Sequence, residues 1–120
     1  MADRVLFNCW GTVVRGREER ALEVFNQVVG LYGRLQQEGR IEAFDVALLE
    51  PNRAMRGYFQ IHGSAQQLAA LREDEDFRRA MIDAELVVED LTLIEGSTND
   101  GVARQIAMFQ ERIAQVPQIA

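Results

Sequence analysis

His62 is the only histidine of the chain. Tyr58 and Gln60 precede it at steps of two, so a phenol, an amide and an imidazole fall on one face if the segment is a strand. An imidazole is chemically suited to general-base work near neutral pH. Asn8 and Trp10, two apart in an earlier apolar run, add a second amide and an indole. Aromatic walls with a few convergent polar groups are what a small-molecule pocket needs. Asn8, Trp10, Tyr58, Gln60 and His62 are therefore the candidate ligand-binding set, with His62 or Tyr58 placed to move protons and Asn8 or Gln60 to hold an oxyanion. The reading that weighs more is that the same five side chains fill a subunit interface, their polar atoms bonded to one another. His62 also suits a structural place at a strand end.

Other chemistries lack their residues. One histidine cannot supply a multi-histidine metal site, and Cys9, the single cysteine, has neither a disulfide partner nor a Cys-x-x-Cys mate. No metal and no cofactor is expected. All 13 basic side chains are arginine, which removes Schiff-base lysines and the phosphate-loop lysine together. Ser64 and Ser97, the only serines, stand where helix caps and turns want them. Arg53 and Arg56 flank a turn, where a pair of arginines serves either an anionic group or surface ion pairs. With 19 acidic residues and a formal net charge of −6, the chain repels phosphate backbones and anionic lipid, so neither nucleic acid nor membrane is an expected partner. The start Met1-Ala2-Asp3-Arg4 opens no signal-peptide core, and no apolar run is long enough for a bilayer; the expected location is cytoplasmic.

The elements that would position these residues follow from apolar periodicity. Val5 to Val14 alternates as a first strand. Residues 17 to 38 repeat Leu22, Phe25, Val28, Val29, Tyr32 and Leu35 at helical spacing, and Gly39 reads as the stop. Gly30 and Gly33 interrupt that helix at a cost of about 1 kcal/mol each, for which close packing against a backbone is the expected compensation. Ile41 to Leu49 alternates, Glu50-Pro51-Asn52-Arg53 reads as a turn, and Met55 to His62 is a third strand pairing with the second. Ser64 and Gln67 form a capping box for a second helix. The acidic block Glu73-Asp74-Glu75-Asp76 marks a break before a further helical piece carrying Phe77, Met81 and Ala84. Val87 to Glu95 is a fourth strand. After Gly96-Ser97-Thr98-Asn99, residues 101 to 115 form a last helix with Val102, Ile106, Phe109 and Ile113 in one stripe.

This order is that of a ferredoxin-like βαββαβ domain of α+β class: a four-stranded antiparallel sheet plus an extra C-terminal helix. A single domain over residues 1–120 is expected, its core at 5–95 and the added helix at 97–116. Helices cover one sheet face. The other is expected to carry Asn8, Trp10 and Thr12 beside Tyr58, Gln60 and His62, with Leu6, Ala43 and Leu49 among them. Such a mixed apolar surface needs a cover, and a second copy of the chain is the expected one. The C-terminal stripe is expected to add to that dimer contact.

With these residues placed, the chain resembles the dimeric α/β-barrel superfamily over about residues 5–95, and most of all its small stand-alone members without assigned activity. The pieces that carry the likeness are Gly16-Arg17-Glu18-Glu19, Gly39-Arg40-Ile41-Glu42, residues 57–63 and Leu71-Arg72 through Phe77. The resemblance implies two sheets packed face to face as a homodimer. It also brings in enzymes, among them cofactor-free monooxygenases, haem-degrading oxygenases and isomerases. A haem-binding relative would place a histidine on the second helix, and Ser64 to Ala84 contains none. The histidine and aspartate arrangement of the YCII-type relatives has no match here. Relatives often have a glycine-rich turn where this chain has Asn52-Arg53-Ala54-Met55, so that turn's ligand contacts do not carry over. Two functions follow as expectations: a non-enzymatic module that binds a small molecule or a partner, or a cofactor-independent monooxygenase or isomerase acting on an aromatic or enolisable molecule.

Overall fold

A computed structural model describes residues 2–119. Four strands, β1 (Arg4–Trp10), β2 (Ala43–Leu48), β3 (Gly57–Gly63) and β4 (Thr92–Ser97), make one antiparallel sheet in the order β2-β3-β1-β4. The helices are α1 (Glu18–Gln37), α2 (Ala65–Glu73), α3 (Glu75–Glu85) and α4 (Asp100–Ile113). The central places of β1 and β3 and the α+β class agree with the order read from the sequence.

Two strand boundaries differ from the periodicity. The chain leaves the sheet after Trp10, because residues 11–14 pair with residues 87–89 instead: Gly11 N donates to Glu89 O, Glu89 N to Thr12 O and Val14 N to Val87 O, each at 2.8 Å. A β-carbon on Gly11 would sit 3.1 Å from Glu89 O, a tight contact that glycine avoids. Thr12 is therefore no part of the sheet, and β4 begins at Thr92 rather than Val87. The third strand likewise begins at Gly57, after Met55. The Asn52 side chain shapes the preceding turn, donating to Glu50 O and Met55 O while accepting from the N–H groups of Ala54 and Met55.

Helix punctuation follows the sequence closely. α1 ends at Gly39, whose φ of 73° is the left-handed conformation of a C-terminal stop, with Arg40 N donating to Leu35 O. Ser64 and Gln67 cap α2 reciprocally. The acidic block breaks the next helix as expected: Asp74 is extended, and its carboxylate accepts from Phe77 N at 2.9 Å to start α3. Arg40 binds the same carboxylate at 2.5 Å and, with Phe77 N–H, holds its pKa below the ordinary carboxylate value against the opposing effect of burial. Because the folded pKa is the lower one, this contribution is present above the unfolded carboxylate pKa and is lost as pH falls through the folded value. Asp74→Asn keeps a capping oxygen but removes the charge, so its stability in urea should fall less than wild type's on acidification. Asp74→Ala should cost about 1 kcal/mol near neutral pH through the lost cap.

Gly30 and Gly33 depart from expectation. A β-carbon at either would have nothing within 4 Å outside its own helix, so no close backbone approach compensates for them. Gly30→Ala should therefore stabilise the protein by up to about 1 kcal/mol, read as a raised urea midpoint with unchanged slope.

The core lies between the sheet and α1, α2 and α3. Phe59 is its aromatic centre, with ring centroids 5.0 Å from Tyr32, 5.5 Å from Trp10 and 5.6 Å from Phe25. Leu6, Ile61, Leu35 and Leu68 close around it, fully buried. α4 stands apart. It touches the body mainly at its start, where Thr98 N donates to Asp3 O, Gly101 packs on the Asp3 backbone and Arg104 pairs with Asp3. Its stripe is bare, Ile106 being 51% and Phe109 64% exposed.

Candidate ligand-binding site

Cross-strand register fixes which side chains share a face. Asn8 pairs with Phe59, Leu6 with Ile61 and Trp10 with Gly57. Leu6, Asn8 and Trp10 therefore point toward the helices, with Phe59 and Ile61. Tyr58, Gln60 and His62 point the other way, paired with Cys9, Phe7 and Val5. The five candidate residues do not form one site. The expectation that Asn8 and Trp10 lie on the uncovered face is corrected by this parity, and Leu6 with them.

On the helix side, the sheet and helices α1 and α3 leave a cavity of about 410 Å³. Trp10, Phe25 and Phe59 give it aromatic walls, and Val24, Val28, Met81, Ala84 and Leu91 give it aliphatic ones. Leu22, Leu48 and Glu18 line it and are exposed, so they mark its mouth. Residues 13, 87 and 88, brought together by the Val13–Val88 bridge, close one end. Trp10 reaches this position because Gly57 has no side chain: a β-carbon there would lie 2.6 Å from the indole and 2.8 Å from Ala47 O.

Asn8 is the one buried polar side chain lining the cavity, at 2% exposure. Its Nδ2 donates to Tyr32 Oη at 2.9 Å. Its Oδ1 is buried without a partner. Such an orphan acceptor costs about 1–3 kcal/mol. Burial pushes the Tyr32 phenol above its ordinary pKa, with the donated Asn8 hydrogen bond opposing, so Tyr32 stays neutral throughout the physiological range. Tyr32 was legible from sequence only as a member of an apolar helical stripe; the signal available there was that a buried tyrosine hydroxyl requires a polar partner.

The opposite face carries Val5, Phe7, Cys9, Ala43, Ala47 and Ile94 along with Tyr58, Gln60 and His62. Tyr58 lies against Phe7 with ring centroids 5.1 Å apart. His62 Nε2 is 3.0 Å from Asp45 Oδ2. Neither His62 nor Tyr58 lines the cavity. Among the described residues no three of the histidine, cysteine, aspartate or glutamate side chains are grouped to hold a metal ion, and no helix is long and apolar enough to cross a membrane.

Comparison with solved structures settles the architecture. A conserved protein of unknown function from Bacteroides thetaiotaomicron VPI-5482, described also as a possible oxidoreductase, superposes with a TM-score of 0.62 at 17% identity, over 82% of this chain and 100% of that one. A dimeric protein of unknown function with a ferredoxin-like fold, from Bacteroides fragilis NCTC 9343, gives 0.60 at 12% identity over 79% and 96%. The chain has the ferredoxin-like fold. SnoaB, a cofactor-independent oxygenase from Streptomyces nogalater, is a more distant match with the same architecture, at a TM-score of 0.50 and 18% identity over 82% and 93%. No family model matches the chain, and no curated protein does.

Proposed function

We propose that the protein is a homodimeric small-molecule-binding protein whose ligand occupies the cavity between sheet and helices. The observation that carries this reading is the cavity itself. Its volume lies within the range of small-molecule sites, its walls are apolar, and one buried amide on its wall has an unused acceptor. An apolar occupant would gain contacts with the aromatic and aliphatic walls that water does not supply.

The dimer part of the proposal rests on the other face. An antiparallel sheet that faces water on one side normally alternates to polar residues there, whereas this one presents Phe7, Val5 and Ile94, the last 54% exposed. A second sheet packed face to face covers them, as the description of the Bacteroides fragilis protein as dimeric supports. Tyr58, Gln60 and His62 then belong to the contact between sheets. Sedimentation equilibrium at micromolar concentration should return twice the 13.6 kDa chain mass; a monomer would remove this part of the proposal. For the cavity, fluorescence of Trp10, the only tryptophan, should change saturably on titration with a neutral polycyclic aromatic.

A second reading is a cofactor-independent monooxygenase or isomerase acting on an aromatic or enolisable molecule in the same cavity. It is favoured by the architecture shared with SnoaB and by an amide beside aromatic walls. The readings separate on the fate of the bound molecule. A binding protein returns it unchanged after prolonged incubation in air, and an enzyme returns a product of altered mass or structure.

A further inference from the structure

Asp45 and Arg56 are the charged side chains that the sheet turns toward its uncovered face. Asp45 stands in β2 opposite Gln60. Arg56 precedes β3, yet the ladder runs one residue past Gly57: Leu49 N donates to Arg56 O at 2.9 Å, and Arg56 N to Trp10 O at 2.8 Å. Strand alternation therefore sets the Arg56 side chain on the face of Tyr58, Gln60 and His62. Apart from the imidazole of His62, the rest of that face is uncharged. Asp45 is 70% exposed, and its one partner in the chain is His62 Nε2 at 3.0 Å. Arg56 makes no ion pair among the described residues. Resting on the dimer reading above, we propose that Arg56 of each copy pairs with Asp45 of the partner subunit, and that these two equivalent ion pairs fix how the sheets lie on each other. Covering the face takes water from Asp45, and a carboxylate buried without a counter-charge is costly. A guanidinium fork supplies the charge and two parallel donors. The two positions lie four residues apart along the strands and one strand across, about 14 Å, so the pair does not close within one sheet. A two-fold axis between the sheets that crosses the strands midway, at the level of the Ala47–Tyr58 pair, exchanges them and makes both contacts at once. An axis along the strands would instead stack β2 on β4 and seal Asp45 against Ile94 of the partner subunit, with no counter-charge.

Charge reversal in the full-length chain tests the pairing by sedimentation. Asp45→Arg alone sets arginine against arginine at both contacts, and Arg56→Asp alone sets carboxylate against carboxylate. Each should weaken its own dimer by more than about tenfold, since like charges across an interface repel strongly. An equal mixture of the two variants should dimerise again, because the mixed dimer holds an arginine opposite an aspartate at both contacts. That recovery is specific to pairing between subunits; a loss of folding or of a contact within one chain would not be repaired by mixing. Should either reversal disturb the sheet, seen in far-ultraviolet dichroism, Asp45→Asn and Arg56→Gln replace them. Each of these homodimers has no ion pair and their mixed dimer has one, so the mixture should associate more tightly than either variant alone. A mixture as weak as its components would overturn the pairing and leave the dimer standing. Single variants that dimerise as tightly as the wild-type chain would overturn it too, by placing neither residue at the contact. A monomeric wild-type chain would remove the dimer reading itself, and the pairing would fall with it.

Discussion

Gly57→Ala should unseat Trp10 and abolish binding in the cavity. The new methyl group would lie 2.6 Å from the indole and 2.8 Å from Ala47 O. The indole can swing away, but the carbonyl belongs to β2, the strand hydrogen-bonded beside β3, and can move only if the two strands part at the Leu48–Gly57 pair. Overpacking of this kind costs about 1–3 kcal/mol. Displacing Trp10 adds the loss of its contacts with Phe25 and Phe59, 6.2 and 5.5 Å between ring centroids. Together these should lower stability by about 3 kcal/mol, visible as a reduced urea midpoint. The Trp10 emission should shift to the red, and the saturable response to a neutral polycyclic aromatic should be lost. An alanine variant with unchanged stability and emission would show that β2 yields more easily than its ladder suggests. It would remove Gly57 as the residue that shapes the cavity.

That role for Gly57 was hidden in the sequence for the same reason that the candidate site was misassembled. Alternation separates a strand's two faces but does not say which one meets the helices. In β1 both sets, Val5, Phe7 and Cys9 against Leu6, Asn8 and Trp10, contain aromatic and aliphatic residues. Asn8 then looks like a mark of the wet face. Its amide is in fact carried inside by Tyr32, twenty-four residues away, a partner that local periodicity cannot reveal. In β3 the sets differ sharply, Phe59 and Ile61 against Tyr58, Gln60 and His62, and the inward face was legible there. Pairing parity joins the two strands: once Asn8 stands opposite Phe59, the outward Tyr58 can no longer share its face.

Elements whose signals are local were read more faithfully. Gly39, the Ser64–Gln67 box and the break at Asp74 each act through hydrogen bonds within a few residues, and each stands where the sequence put it. The start of β4 was not legible, because residues 87–89 are apolar and strand-like yet pair with residues 11–14, outside the sheet proper. Gly30 and Gly33 misled in the opposite sense, since a glycine's cost suggests a structural reason that the surroundings of α1 do not supply.

The largest effect on assembly is expected from α4. The radius of gyration is 17.1 Å, against about 14 Å for a compact domain of this length, and the helix extending from β4 accounts for much of the excess. Val102, Ile106, Phe109 and Ile113 are each exposed along it. Once two sheets meet face to face, a helix leaving the edge strand β4 lies beside the contact and can reach the second copy. Burying four half-exposed apolar side chains contributes about 1 kcal/mol each, enough to move association by far more than tenfold before ordering costs are subtracted. Truncation after Thr98 keeps β4 and its register with β1. It should leave the far-ultraviolet signature of the ferredoxin-like body, while sedimentation shows dimer association weakened at least tenfold. Truncation also removes the Gly101 and Arg104 contacts with Asp3, so a full-length Ile106→Glu/Phe109→Glu variant serves as its control. Both sites are already more than half exposed, and the substitutions should cost the folded chain little. A charged stripe that weakens the dimer as strongly as truncation identifies the apolar face of α4 as the contact. A folded variant that dimerises with unchanged affinity assigns the helix to some other surface.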